Sequence, residues 1–124
     1  MADTMTIDRT GWKGFFDTLS EDHHGEMITM EVLDPSLGDQ IEAERLPFNY
    51  ASYDPKDDVV IIGVGGDTPR FPVILRHMIW HPSEVDIAQL KATEPVLRVV
   101  DNDGQATLTH FYRQDQTAQS TSSG

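Results

Sequence analysis

Five histidines, two pairs of neighbouring carboxylates and one glycine run are the residues of this chain whose types and spacing could carry chemistry. His77 and His81 stand four apart, a spacing that shares one face of a helix but lies about two pleats apart on a strand. Transition-metal sites need two or more imidazoles, usually with a carboxylate, converging at ~2.0–2.2 Å on one ion. His77 and His81 with a nearby acidic residue are therefore the metal candidate, with hydrolytic chemistry as its consequence. The bland alternative for His77, which lies among Val73, Leu75 and Ile79, is a half-buried ring bonded to backbone. His23-His24 falls where a helix should end, and there the helix dipole favours imidazole without any ligand. Glu42/Glu44 and Asp57/Asp58 read as solvated charges, the first pair exposed by strand alternation and the second held in a turn.

Other constellations fail on their surroundings. The segment Asp58 to Asp67, DVVIIGVGGD, runs a strand into glycines. A phosphate loop would need a helix N-terminus next, whereas Pro69 and Pro72 follow here. Asp101-Asn102-Asp103-Gly104 lacks the alternating oxygens and distal glutamate of a calcium loop, and it has the composition of a tight β-turn. No Ser sits in a nucleophile elbow, and with no Cys there is no thiol nucleophile, disulfide or Cys-ligated metal. No cofactor is expected.

Charge narrows the partner classes. Residues 1–58 carry 14 acidic and 4 basic side chains, and residues 59–124 carry 7 and 5, for a net charge of −12. A polyanion is a poor partner for such a surface, which excludes a general nucleic-acid role. A basic protein partner, or self-association through strand edges, fits better. The polar N-terminus has no signal-peptide pattern, and no apolar run approaches the ~20 residues of a membrane helix. A cytoplasmic protein without a membrane anchor is the expectation.

The elements that must position these residues follow from periodicity. Trp12, Phe15, Phe16 and Leu19 fall at i, i+3, i+4 and i+7, one face of a helix over about 9–24. Asp8 or Thr10 is the expected cap and Gly25 the stop. From Met27 the period becomes 2, with Ile28, Met30 and Val32 on one face. In Gln40 to Tyr50 the apolar parity slips from Ile41 and Ala43 to Leu46, Phe48 and Tyr50. A slip of one residue reverses every later side chain unless a bulge absorbs it, so a sharply bent strand is expected near Glu44-Arg45, with Pro47 at an edge or bulge.

Val59 to Val64 reads as a central strand, and Val73 to His81 as a long strand stopped by Pro82. Residues 83–92 are compatible with a short helix or a strand, with the Val85/Ile87 alternation favouring strand. Val96 to Val100 and Ala106 to Tyr112 form a hairpin around Asp103-Gly104. The chain is thus α+β but mostly β: an N-terminal helix, then five or six antiparallel strands in a strongly bent sheet or a small SH3-like or Sm-like barrel. A single compact domain over 1–113 precedes a polar tail, 114–124, expected to be disordered.

The stretch Trp12-x-x-Phe15-Phe16-Asp17-x-Leu19-Ser20-x-x-His23-x-Gly25 resembles the opening of a bacterial family of small domains of unknown function. The resemblance continues through Gly38-Asp39-Gln40-x-x-Ala43-x-x-Leu46-Pro47, His77-x-Ile79-x-x-Pro82 and Asp103-Gly104 followed by Leu108. It implies a compact bacterial domain and carries over no activity, ligand or catalytic residue. The likeness to Sm proteins is one of element order only, since their RNA-binding segments are absent.

The favoured reading is a non-catalytic module for binding a protein partner or a second copy. Tyr50, Tyr53 and Trp80 are its contact candidates, as aromatic groups whose strand positions do not guarantee burial. A small-ligand pocket in a barrel mouth, lined by Phe48, Met78 and Trp80, is the remaining alternative to the metal site.

Overall fold

The computed structural model describes residues 3–66, 69–70, 72, 74–89 and 94–112. The tail expected over 114–124 lies outside these residues. Strand β1 (Asp3–Ile7) leads into a single 3-10 turn (Arg9–Gly11) and helix α1 (Trp12–His23). Seven further strands follow: β2 (Met27–Asp34), β3 (Gly38–Asp54), β4 (Val59–Gly65), β5 (Ile74–Trp80), β6 (Pro82–Gln89), β7 (Pro95–Asp101) and β8 (Ala106–Tyr112). All pair antiparallel, in the order β1-β6-β7-β8-β2-β3-β4-β5.

The mostly β, α+β class holds, and the strand count needs correcting. Eight strands lie among the described residues where five or six were expected, and one of them precedes the helix. Asp3 to Ile7 has little apolar alternation of its own, and its place comes from pairing with Val85–Gln89. The ladder also does not close among the described residues, because β1 and β5 are its two ends. A bent open sheet, not a closed barrel, is the form found.

Two bends let the sheet curl. At the first, Ile28 pairs with Leu46 and Met30 with Ala43, so β3 uses three steps where β2 uses two. Arg45 absorbs the difference at φ 53, at the position where the apolar parity slips. Residues of β3 up to Pro47 pair with β2, and those from Phe48 on pair with β4. At the second bend β5 runs into β6 through His81 alone, at φ 55. The strand expected over Val73 to His81 thus ends at Trp80, and Pro82 opens the next strand. Residues 82–89 are strand, as the Val85/Ile87 alternation indicated.

The helix lies across the second half of β3. Trp12, Phe16 and Leu19 are buried, and the rim of Phe15 packs against the same core. Neither expected cap operates. Asp8 makes no capping bond and instead accepts the Thr10 hydroxyl at 2.8 Å, and the helix starts from Gly11 after the 3-10 turn. Ser20 fastens helix to sheet: its Oγ accepts the Ala51 N–H at 2.8 Å and stands 2.8 Å from the Ala51 carbonyl oxygen. Gly25, at φ 90, ends the segment in the left-handed region that glycine adopts without strain. Inside the curl, Ile28, Phe48, Val60, Ile62, Leu97, Val99 and Phe111 form the core. No helix among the described residues is long and apolar enough to cross a membrane.

Candidate functional site

The second bend gathers a dense grouping of polar side chains. Asp54 turns the chain after β3, its Oδ1 accepting the Lys56 N–H at 2.9 Å. Asp58 then sits at φ 55, a left-handed conformation in which Asp is less strained than most residues. Its carbonyl accepts the His81 N–H at 2.8 Å, and its Oδ2 lies 3.3 Å from His81 Nδ1. The Tyr53 hydroxyl donates to Asp58 Oδ1 at 2.8 Å. Arg9 reaches in from the 3-10 turn. Its Nη1 is 3.3 Å from both Asp58 Oδ1 and the Tyr53 hydroxyl, and its Nη2 donates to the Pro82 carbonyl at 2.9 Å. The guanidinium carbon lies 4.4 Å from the centroid of Trp12, whose ring meets Tyr53 edge-on at 5.1 Å.

The electrostatics follow from these contacts. Tyr53's hydrogen bond holds the Asp58 carboxyl below the usual carboxylate range, aided by His81 and Arg9 and opposed by burial. Burial, with the Asp58 charge behind it, pushes the Tyr53 phenol up. Asp58 thus stays ionised as the acceptor at the centre of a fixed set of donors.

An open cleft of about 430 Å³ adjoins the bend on the other side of His81. Met78, Ile79, Trp80 and His81 form one wall, and Asp101, Asn102, Asp103 and Gln105 of the β7–β8 hairpin form the other. The hairpin is the Asp-Gly turn expected from its sequence. Asp101 Oδ1 accepts the N–H groups of Asp103 at 2.9 Å and Gln105 at 3.0 Å, and Gly104 takes φ 85. The Asn102 N–H donates to the His81 carbonyl at 3.1 Å, tying the hairpin to the bend.

The expected site residues separate. Tyr50 and Trp80 share the outer face of the β3–β4–β5 half. The Tyr50 ring lies over Gly63, and its hydroxyl accepts Arg76 Nε at 3.0 Å. Trp80 is 51% exposed. Tyr53, expected as a surface contact, is corrected to an inward ring 9% exposed, because strand alternation turns it towards Trp12. The pocket expected between Phe48, Met78 and Trp80 does not form. Phe48 is buried against Phe111, while Met78 and Trp80 face out.

His77 and His81 engage different groups. His77 Nε2 lies 3.4 Å from Thr107 Oγ1, inside the curl, whereas His81 sits at the bend on Asp58. Among the described residues no group of three or more His, Asp or Glu gathers as a metal ion would require. Asp58, read from its sequence as a solvated turn charge, is half-buried and multiply bonded. Its partners Tyr53, Arg9 and His81 lie 5, 49 and 23 residues away. Only the Tyr53 spacing is local enough to have been visible.

The Asp58–His81 pair has the orientation of a carboxylate steering a general base. The one hydroxyl bonded within the grouping, that of Tyr53, donates to the carboxylate and is spent there. Its bonds join the 3-10 turn, β3, the turn before β4 and the start of β6, so the grouping fastens the bend.

A family model described as "Family of unknown function (DUF5335)" matches residues 3–120. An uncharacterized protein of Aquifex aeolicus (strain VF5) is 35% identical over 101 residues, which span 82% of this chain and 85% of that protein. No solved structure matches the chain. The resemblance carried by the Trp12–Gly25 opening agrees with these matches.

Proposed function

The chain belongs to this family of unknown function, and we propose that it is a non-catalytic protein-binding module whose contact surface is β5 and the cleft at its end. The observation that carries the reading is the exposure of Met78 at 42% and Trp80 at 51%, two residues apart on one face of a terminal strand, with Leu75 exposed on the other face. Soluble domains seldom leave neighbouring large apolar groups in water without a use for them. Aromatic and methionine side chains are the types enriched where proteins meet. The polar grouping behind the strand supports the same reading, since it holds the bend in place and leaves no hydroxyl positioned as a nucleophile.

The test is affinity capture at low salt from cells of the native source. Wild type is compared with a Met78→Glu, Trp80→Ala double variant shown to keep its fold by circular dichroism. A protein captured by the wild type, lost with the variant and rebinding as a purified component is the expected result. Equal capture by both forms, or none by either, would refute the reading.

A further inference from the structure

Strand β5 pairs residue for residue with β4 from Ile74 to Trp80, without a bulge. Among the described residues no strand lies on its other edge. An edge of this kind offers a row of N–H and C=O groups to an added strand, and proteins that avoid such additions place bulges, prolines or charges along it. Here β5 has neither a bulge nor a proline. Its one permanent charge, Arg76, is turned onto the Tyr50 hydroxyl. The other end strand, β1, is shorter, at five residues against seven.

Charge selects the occupant. The chain carries a net −12, so a second copy approaches against its own field. The cleft at the C-terminal end of β5 is walled by Asp101 and Asp103 with the exposed Trp80, and among the described residues no Lys or Arg lines it. Planar guanidinium groups stack on aromatic rings while their edges reach oxygen acceptors. The chain already does this internally with Arg9, 4.4 Å from the Trp12 centroid beside Asp58, and Arg45 likewise stacks 4.2 Å from the centroid of Tyr112.

We propose that β5 accepts an extended, basic segment of a partner protein as an added antiparallel or parallel strand, with an Arg or Lys side chain of that segment seated in the cleft between Trp80 and Asp103. This inference rests on the binding-module reading and names the partner's chemistry. Backbone pairing supplies the register and the cleft supplies the selectivity.

The experiment is selection of a phage-displayed library of random nonapeptides on the full chain. The strongest synthetic peptide is then titrated into the ¹⁵N-labelled protein. Enriched peptides are expected to carry Lys or Arg among alternating β-branched residues, and to shift the β5 amides and the Trp80 indole N–H. Affinity should fall at least tenfold with Trp80→Ala, with Asp103→Asn, and when citrulline replaces the arginine. Selection of no binder, of acidic or uncharged binders, or of peptides that shift signals away from β5 overturns the proposal. So does a concentration-dependent dimer by light scattering that Met78→Glu abolishes, because the occupant is then a second copy. If the captured protein still depends on Met78 and Trp80 while selected peptides leave β5 unmoved, strand addition fails and the module reading stands. If capture fails as well, both fall.

Discussion

Asp58 and His81 hold each other through backbone and side chain at once, with the His81 N–H on the Asp58 carbonyl at 2.8 Å and its Nδ1 3.3 Å from Oδ2. Both residues are also in the left-handed region, at φ 55. A non-glycine residue there costs of order 1 kcal/mol and persists only where its surroundings fix it. Each of these two residues supplies the other's fixing contacts. The bend that separates β5 from β6 therefore depends on a pair of residues that neither strand contains.

Replacing Asp58 tests that dependence. Asp58→Ala removes the acceptor of Tyr53 and Arg9 and leaves the phenol with an unmet donor. A loss of about 1–3 kcal/mol in urea unfolding is expected. Asp58→Asn keeps an oxygen for Tyr53 and tolerates positive φ, so its loss should be the smaller of the two. Equal stability of Asp58→Ala and wild type would show that the bend is held by packing instead.

Acid should weaken the fold through Asp34. Its Oδ1 accepts the Ser36 hydroxyl and the N–H groups of Ser36 and Leu37, and its Oδ2 accepts Gln105 Nε2. These bonds lower its carboxyl to about 2. The folded value is below the unfolded one, so the stabilisation is fully present above about pH 4 and is lost as pH falls towards 2. Asp58, also lowered, acts in the same direction. Melting temperature followed from pH 6 to 2 should decline more shallowly in Asp34→Asn than in wild type. Parallel curves would remove Asp34 from the acid response.

Some of this was legible in the sequence and some was not, for reasons that differ by residue. The bend at Arg45 was legible because the slip in apolar parity from Ala43 to Leu46 reverses the face of every later side chain unless a bulge absorbs it. The Asp101–Gly104 hairpin and the Trp12–Leu19 face were legible because turn chemistry and the 3.6-residue period are local. Strand β1 was not, since pairing with β6 makes it a strand and that partner lies some eighty residues on. The grouping around Asp58 was hidden for the same reason: Arg9 and His81 reach it only after the sheet has curled. The separation of Phe48 from Trp80 was lost because reading a closed barrel mouth placed both on one rim.

Asp86 and Arg98 should respond unequally to mutation. Asp86 is buried on β6 opposite Arg98 of β7, with its Oδ2 2.8 Å from Arg98 Nη1 and Glu84 also near that guanidinium. Burial pushes its carboxyl up despite the arginine, so the charge is held at a cost. At pH 7, Asp86→Asn is expected to leave stability unchanged or raise it. Arg98→Met strands the carboxylate and should cost about 1–3 kcal/mol. Protonation of Asp86 favours the fold, so the Arg98→Met deficit should shrink as pH falls towards the carboxylate range. An Asp86→Asn loss as large as that of Arg98→Met would mean that attraction outweighs desolvation.

Gly63 exists to seat Tyr50. A Cβ built at Gly63 would run into Tyr50 Cε1 and stand 2.7 Å from its Cδ1, inside any tolerated contact. The ring is not free to swing away without cost, because its hydroxyl accepts Arg76 Nε at 3.0 Å. Gly63→Ala should therefore destabilise by about 1–3 kcal/mol, the usual range for forcing extra volume into a packed site. With Tyr50→Ala in the background the clash vanishes, and alanine's lower backbone entropy and better strand fit should make Gly63→Ala neutral or favourable. The double-mutant cycle thus predicts a coupling of at least about 1 kcal/mol between two residues on adjacent strands. Additive effects in urea unfolding would mean that the ring relocates freely, and that the outer face beside β5 is less ordered than its contacts indicate.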